Sequence, residues 1–359
     1  MKSSKDFMRG FTLFLLLFSI QPNISNGATR KKKAANKYDN QICGSSFPAL
    51  VPPKSSSSRG RHYQILDLLV DKSISGPTSL GLSSSPQHAA MCWIIHTDPK
   101  KLNVGNGKHF LQRYALATVY FATLGPDKWT TKSGWLSGDH ECNWHGVSCS
   151  GGLLSSKWVT GIDLAFNDLA GVIPREISLL KDTLETLSLY ANEISGILPP
   201  KLAELKNLKV LKLHINALIG NIPPNIGQLK NLRELVLYGN YLNGKIPTDV
   251  GNLVNLEIFD VYANHLTGTV PSASMAKMKN LKEVYLNDND LTGRITKTTA
   301  NSKTKSLCDL RSKKLSVLAA DCRKNPTAEV TCDCCTIACN DKADPKCVEV
   351  ESSTSTKKK

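Results

Sequence analysis

The stretch LRELVLYGNYLNGKIP, from Leu232 to Pro247, is the clearest copy of a pattern that this chain repeats six times. It places leucines at three positions before Asn240 and a glycine-to-proline segment after it. Within residues 159–297 the asparagine recurs every 24 or 25 residues, at Asn167, Asn192, Asn216, Asn240, Asn264 and Asn289. Six copies at one spacing predict a single structural unit that stacks six times.

The leucines of this pattern have the spacing of a short strand. Leu235 and Leu237 alternate with Val236 and Tyr238, as in a strand with one buried face. One unit cannot bury its own leucines, so neighbouring units must stack and share a core. Where the chain leaves the sheet, backbone donors and acceptors need partners, and a buried asparagine amide satisfies both kinds. We therefore predict a buried asparagine column; the alternative is asparagine simply as a turn former.

The segment after each asparagine identifies the type of repeat. Five copies read G-x-[IVL]-P, and the last has Thr296 in place of proline, as expected where an array stops. This frame is typical of leucine-rich repeats and resembles the plant-type class, which includes receptor-kinase ectodomains and polygalacturonase-inhibiting proteins. The resemblance implies an α/β repeat fold: a right-handed solenoid with one short parallel strand per ~24-residue coil. It also implies an extracellular setting and recognition of a ligand or partner.

The basic surplus of the chain lies outside the repeats. The formal net charge is +15, and residues 1–60 carry ten Lys and Arg against two acids. Residues 159–297 carry fourteen of each sign. The repeats therefore lack the basic footprint of a nucleic-acid-binding surface, and we expect no nucleic-acid partner.

The N-terminal region reads as a targeting segment and a linker. Residues 1–28 have early basic residues, an apolar run of about ten residues and small residues at the end, which predicts a secretory signal. An uncleaved signal anchor is the alternative, and membrane attachment is expected only in that case. Residues 29–60 are basic and poor in core-forming residues, so we predict a disordered linker.

Between the linker and the repeats we predict a helical extension over 61–125 and an N-terminal cap over 126–158. The helix candidates cover about 62–71, 86–96 and 110–123, with Ser85 as the N-cap of the second. The cap contains CNWHGVSC, residues 142–149, which resembles the plant-type cap; this resemblance implies a Cys142–Cys149 disulfide. The flanks on both sides of the repeats also resemble secreted leucine-rich-repeat proteins of diatoms.

The C-terminal region, residues 298–347, is rich in cysteine and is predicted to close the other end of the solenoid, with a disordered basic tail over 348–359. Behind a signal peptide, thiols favour disulfides, and the spacing C-x-C-C-x-x-x-C lacks the paired C-x-x-C of zinc knuckles. Eleven cysteines make an odd total, so at least one is free or intermolecular. The disulfide candidates here are Cys308, Cys322, Cys332, Cys334, Cys335 and Cys339, with connectivity left open.

No catalytic motif occurs with usable spacing, and we predict no enzyme activity, no cofactor and no metal. The informative residues lie on the sheet face that strand alternation turns away from the core. One column contains Ala165, Tyr190, His214, Tyr238, Tyr262 and Asn287. The column beside it contains Asp163, Ser188, Lys212, Val236, Asp260 and Tyr285.

Tyrosine combines large contact area with a hydroxyl and is common at binding hot spots, although it also suits strands in general. We expect Tyr190, His214, Tyr238 and Tyr262 to be exposed, adjacent and dispensable for folding, so that Tyr238→Ala with Tyr262→Ala leaves stability nearly unchanged. The hypothesis is a secreted or cell-surface protein that binds a protein, peptide or glycan. It assigns partner contacts to Tyr190, His214, Tyr238, Tyr262, Tyr285, Asp163, Lys212 and Asp260. The alternatives are a structural matrix or wall protein and a carbohydrate-active enzyme using Asp163 or Asp260.

Overall fold

The structure, a computed structural model, describes residues 61–105, 107–151, 157–299, 302, 304–311, 313–321, 330–339 and 347–349. The predicted signal, the basic linker and most of the predicted tail lie outside these residues. Val348 and Glu349, expected to open a disordered tail, instead belong to the last strand. No helix in the described ranges is long and apolar enough to cross a membrane.

The repeats form a solenoid built on two sheets. Its strands, in chain order, are β1 (Val147–Ser150), β2 (Trp158–Asp163), β3 (Ala170–Val172), β4 (Thr186–Ser188), β5 (Glu193–Ile197), β6 (Val210–Lys212), β7 (Ala217–Asn221), β8 (Glu234–Val236), β9 (Tyr241–Lys245), β10 (Ile258–Asp260), β11 (His265–Thr269), β12 (Glu283–Tyr285), β13 (Asp290–Ile295), β14 (Val317–Ala320), β15 (Val330–Cys332), β16 (Ile337–Cys339) and β17 (Cys347–Glu349).

The first sheet has the predicted register. Its order is β1-β2-β4-β6-β8-β10-β12-β14-β16-β17. From β2 to β16 the pairing is parallel, and the strand leucine of one coil lies beside that of the next, as Leu211 does beside Leu235. These leucines are fully buried. We call the outer face of this sheet the concave face; it carries the two columns singled out in the sequence.

The second sheet was not predicted, because we expected one strand per coil. Its order is β15-β13-β11-β9-β7-β5-β3. In each coil the segment after the asparagine is extended, and its leucine, such as Leu242, is buried while its neighbours Tyr241 and Asn243 are exposed. That alternation spans too few residues before the glycine to be recognised as a strand. We call its outer face the flank face. Short 3₁₀ turns, such as Pro224–Gln228, complete the coils.

The asparagine column joins the two sheets. Asn240 donates through Nδ2 to the carbonyls of Leu213 (3.1 Å), Leu237 (2.9 Å) and Tyr238 (3.3 Å), and its Oδ1 accepts from the amide of Leu218 (3.0 Å). Asn216, Asn264 and Asn289 repeat this arrangement in their own coils. Five of the six asparagines are buried, as predicted, and Asn192 is partly accessible but makes the same kinds of hydrogen bonds.

A helical layer covers the first coil. The helices are α1 (Arg61–Asp71), α2 (Pro77–Gly81), α3 (Pro86–Cys92), which continues as a π-helical turn (Trp93–Thr97), and α4 (Gly107–Ala122); α5 (Ser272–Met275) lies within the repeats. As predicted, Ser85 caps α3 by accepting from the amide of His88. On α4, Gln112 accepts from the amide of Val159 (2.9 Å), which ties the helices directly to β2.

Arg113 is the centre of this layer. Its side chain is fully buried and forms ion pairs with Asp98 and Glu141, each at 2.7 Å. The guanidinium carbon lies 5.0 Å from the ring centroids of Trp93 and Trp144. Burial alone lowers the pKa of Arg113, but hydrogen bonds to Asp98 and Glu141 raise it on balance, so the group stays charged. The predicted helical extension and the predicted cap therefore form one packed end of the solenoid.

Disulfides reinforce both ends. The structure contains Cys142–Cys149, Cys308–Cys334 and Cys332–Cys335, and Cys92 is disulfide-bonded as well. Cys322 lies outside the described residues, as does the side chain of Cys339. The C-terminal region is more than a cap, because β14 and β16 continue the parallel sheet beyond residue 297.

Candidate functional site

The concave face carries a continuous ladder of aromatic rings. We call Phe166, Tyr190, His214, Tyr238 and Tyr262 the ring ladder. Tyr190 and His214 are stacked, with centroids 4.3 Å apart, and His214 and Tyr238 are stacked at 4.4 Å. Phe166 meets Tyr190 edge to face at 5.2 Å, and Tyr238 and Tyr262 are tilted at 6.3 Å. The parallel register places equivalent residues of adjacent coils ~4.8 Å apart, which is close to ring-stacking distance.

The expectation that all four predicted ladder residues are exposed is wrong for two of them. His214 is only 8% exposed and Tyr238 only 5% exposed, whereas Tyr190 and Tyr262 are partly accessible. Strand alternation correctly turns these side chains away from the core, but stacking at this distance lets each ring cover the faces of its neighbours. His214 and Tyr238 therefore contribute to folding, and replacing Tyr238 must cost stability.

The neighbouring column carries charges of both signs. Lys212 forms an ion pair with Glu234 on the next strand, at 2.8 Å. Asp163 is exposed at the end of β2. Asp260 is partly buried, accepts from the amide of Tyr262 (3.1 Å), and has its pKa raised to about 7 by burial, with a further contribution from Glu283.

Tyr285, the last predicted contact residue, donates its hydroxyl hydrogen bond to Glu283 (3.1 Å) on the same strand. Burial and the nearby Glu283 carboxylate raise its pKa above the usual range of tyrosine. Tyr285 belongs to the charged column rather than to the ring ladder. The structure thus divides the predicted contacts into a ring ladder and an adjacent charged column.

His214 is held neutral in the middle of the ladder. Burial, and secondarily the charge of Lys212, lowers its pKa to about 4. Its Nδ1 is buried and has no hydrogen-bond partner within the described residues. An unpaired buried polar atom costs about 1–3 kcal/mol, so the ladder contains one unmet hydrogen-bonding position.

Phe166 is the contact candidate that the sequence analysis missed. It is 66% exposed and has a φ of 53°, in the left-handed region. The position before the repeat asparagine takes positive φ in every coil, and the other coils place Ala191, Ile215, Gly239, Ala263 and Asp288 there. A bulky residue at positive φ is disfavoured, and Phe166 shares this cost with Ile215. What sets Phe166 apart is its largely exposed phenyl ring, which folding does not explain. The backbone conformation of this position could not be read from the sequence.

The flank face carries a second unpredicted feature, a row of exposed apolar side chains. Ile197 pairs in register with Ile219, and Ile219 with Tyr241, across three adjacent strands. Each of the three is about half exposed. Val172, on the neighbouring strand β3, is also exposed but lies in register with Ser195 rather than with Ile197.

Two specific alternatives, the predicted carboxylate pair and one cluster of possible metal ligands, can be compared with the geometry. Asp163 and Asp260 lie four strands apart, ~19 Å by strand spacing, whereas the carboxylate pairs of glycosidases lie within ~10 Å. Among the described residues, His140, Cys142 and Cys149 bring possible ligand atoms within 4.8 Å of one another. Their two sulfurs are joined as a disulfide, so neither is a thiolate ligand.

The fold and the Asn column define a leucine-rich-repeat solenoid with plant-type repeats, and comparison with known proteins agrees. The family model described as Leucine Rich Repeat matches residues 183–205 and 231–253. A segment of 95 residues is 41% identical to the LRR receptor-like serine/threonine-protein kinase GSO2 of Arabidopsis thaliana, covering 21% of this chain and 8% of that protein. A segment of 97 residues is 39% identical to the receptor-like protein kinase HSL1 of the same plant, covering 27% of this chain and 9% of that protein.

Two solved structures that align with part of the chain illustrate the range of similar proteins. The ectodomain of the Arabidopsis receptor kinase HAESA, in complex with an IDA peptide hormone, is 31% identical with a TM-score of 0.46, covering 53% of this chain and 31% of that chain. A plant ice-binding protein is 29% identical with a TM-score of 0.47, covering 52% of this chain and 58% of that chain. The chain resembles plant receptor-kinase ectodomains in its repeats, and it spans less than a tenth of the length of the two curated relatives.

Proposed function

We propose that the protein is a non-catalytic recognition protein that binds a protein or peptide partner through its concave face. The observation that carries the proposal is the ring ladder with Phe166 exposed at its end. Aromatic clusters are enriched at binding hot spots, and a large apolar residue kept in a strained, exposed position is best explained by contact with a partner. The named relatives are receptor-like kinases, which supports a role in recognition.

The ladder favours a protein or peptide over a glycan. A sugar ring packs against the flat face of an aromatic ring, but the faces of His214 are covered by Tyr190 and Tyr238. What the middle of the ladder presents is therefore ring edges and hydroxyl groups, which suit hydrogen bonding to a peptide backbone. At the ladder ends, the ring of Phe166 is exposed and Tyr262 is partly accessible.

We further propose that the protein works outside the cell, secreted or displayed at the surface. The disulfides at both solenoid ends support this compartment, since such bonds persist in oxidising environments. Titration of free thiols in the non-reduced protein, with N-terminal sequencing of the mature chain, tests the proposal. Most of the eleven thiols being free would contradict the extracellular assignment, and an intact N-terminus would indicate an anchor.

The binding test compares the two faces of one solenoid. The concave variant combines Phe166→Ala, Tyr190→Ala and Tyr262→Ala, which avoids the buried ladder residues; the matched control is Tyr241→Ala on the flank face. Both are screened against displayed peptide libraries and a glycan array after their folding is checked by circular dichroism. We expect the concave variant to lose ~2 kcal/mol or more of binding free energy while the control keeps it.

Retention of full binding by the concave variant would refute the concave-face proposal and direct attention to the helical residues 61–125. Glycan capture that needs the ladder would refute the peptide preference alone. Turnover of a glycosidic substrate would favour the enzyme alternative. Binding only to insoluble wall or matrix polymer would favour the structural one.

A further inference from the structure

We propose that the partner segment is an extended, positively charged peptide of about seven residues, seated along the ring ladder with its Lys or Arg side chains on Asp163, Asp260 and Glu283. This inference rests on the proposed function and adds the chemical class of the ligand. It starts from the charges of the concave face that folding leaves unpaired.

Most charges at the concave face already have partners within the protein. Glu185 pairs with Lys209 at 2.6 Å, Glu257 pairs with Lys282, and Glu234 pairs with Lys212 at 2.8 Å. By contrast, no basic group of the described residues forms an ion pair with Asp163, Asp260 or Glu283. Among the described residues Arg233, the exposed residue before β8, likewise has no ion pair. The concave face therefore carries three unpaired acids against one unpaired base. We call Asp163, Asp260 and Glu283 the acidic row; Glu283 lies one column further from the ladder than the two aspartates. Residues 159–297 as a whole are charge-balanced.

The positions of these acids match an extended peptide. Asp163 ends β2, Asp260 ends β10, and Glu283 begins β12. Five strand intervals separate β2 from β12 in the sheet, or ~24 Å. An extended chain advances ~3.3 Å per residue, so about seven residues cover the row. Phe166 lies at the β2 end and offers an apolar contact there.

His214 provides an observation independent of the acids. Its unpartnered Nδ1 lies midway along the ladder. Because the imidazole is neutral, it does not repel a cation, and in the tautomer protonated on Nε2 its Nδ1 is a hydrogen-bond acceptor. Nδ1 is enclosed in the free protein, so a ligand N–H donor satisfies this position only when the ring turns toward it. The protein presents hydrogen-bond acceptors here, and a basic peptide supplies the matching N–H donors.

The environment of Asp260 makes the proposal sensitive to pH. The ionisable groups around it are Tyr238, Tyr262 and Tyr285, the Glu283 carboxylate, and the Glu234–Lys212 pair. Its raised pKa, about 7, means that Asp260 is partly protonated near neutrality. A cationic ligand favours the ionised form, so binding must release a proton and strengthen as pH rises from 5 to 8.

The test uses three pools of capped, fluorescently labelled octapeptides that carry four Lys or Arg, four Gln or four Glu among randomised uncharged residues. Anisotropy titrations are run on the full disulfide-bonded chain at two salt concentrations. The triple variant Asp163→Asn, Asp260→Asn, Glu283→Gln removes the acidic row. The matched control, Glu193→Gln with Asp290→Asn, removes exposed acids of the flank face.

We expect the basic pool to bind at least tenfold more tightly than the neutral pool. The affinity of the triple variant for the basic pool should fall at least tenfold, and its affinity for the other pools should not change. The affinity of the flank-face control should be unchanged for every pool. Asp260→Asn alone should flatten the dependence on pH. Equal affinity of all pools, or an equal loss in the triple variant and the control, overturns the proposal.

The failure modes of this inference and of the proposed function differ. Ladder-dependent binding of the neutral or acidic pool would leave the concave-face function standing and refute the basic ligand. Binding of the basic pool that ignores both the ladder and the acidic row would reflect charge attraction elsewhere and refute both. Thermal melts of each variant verify that a lost signal is not a lost fold.

Discussion

The two faces of the solenoid use tyrosine in different ways, although one coil supplies both. Tyr238 on the concave face is 5% exposed, whereas Tyr241, three residues later on the flank face, is 48% exposed. On the concave face the rings of neighbouring coils stack at 4.3–4.4 Å and cover one another. On the flank face Tyr241 meets His265 at 6.1 Å and stays open. Side-chain direction alone does not decide exposure; the spacing of neighbouring rings does.

A matched pair of substitutions tests this difference between the two faces. Tyr238→Ala removes the third ring of the stack and should lower the free energy of unfolding by ~2–4 kcal/mol, in the range of large-to-small changes at buried sites. Tyr241→Ala removes an open side chain and should stay within about 0.5 kcal/mol. Urea denaturation followed by circular dichroism measures both. Equal costs for the two variants would show that the ladder does not stabilise the fold.

The second prediction concerns the acid beside the ladder. Asp260 has a folded-state pKa raised to about 7 from its usual 3.8, mainly by burial. The folded chain therefore binds this proton more tightly than the unfolded chain, and the contribution is fully present below pH ~4 and lost as pH rises to ~7. One pKa unit corresponds to about 1.4 kcal/mol, so relative to Asp260→Asn the parent protein should lose up to ~4 kcal/mol over that interval. Parallel pH profiles for parent and variant contradict the assignment.

The smallest expected effect is a gain in stability. Phe166→Gly relieves a bulky residue at positive φ, where Gly239 stands in another coil. We expect the free energy of unfolding to rise by about 0.5–1 kcal/mol, less the extra entropy of glycine in the unfolded chain. Phe166→Ala, with a smaller gain, serves as the comparison. Stability that falls on both changes would mean that Phe166 supports the fold and would contradict its assignment as a partner contact.

The parts of the molecule that sequence reasoning predicted follow from periodic patterns. The leucine frame and Asn240 recur in every coil, and repetition turns a weak local signal into a definite register. The flank-face strands were not predicted from the sequence because the alternation of buried and exposed residues covers only about two buried positions before Gly244. The exposure of His214 could not be predicted, since the alternation that orients a side chain says nothing about how closely its neighbours pack.

Other features depend on single residues and cannot be read from a pattern. The positive φ of Phe166 belongs to a position whose residue type changes from coil to coil. The bonds Cys308–Cys334 and Cys332–Cys335 are one choice among many connectivities. The buried ion pairs of Arg113 join residues from three separate segments, and nothing in the sequence around Asp98 or Glu141 marks them as partners.

The strands at the two ends of the large sheet set the size of the object. β1 pairs with β2 in the antiparallel sense, and β17 does the same with β16, while every strand between them is parallel. A strand added at either edge would therefore extend an antiparallel pair and would not continue the parallel repeat. Interrupting the repeat at its edges is one way to discourage the end-to-end pairing to which exposed sheet edges are prone.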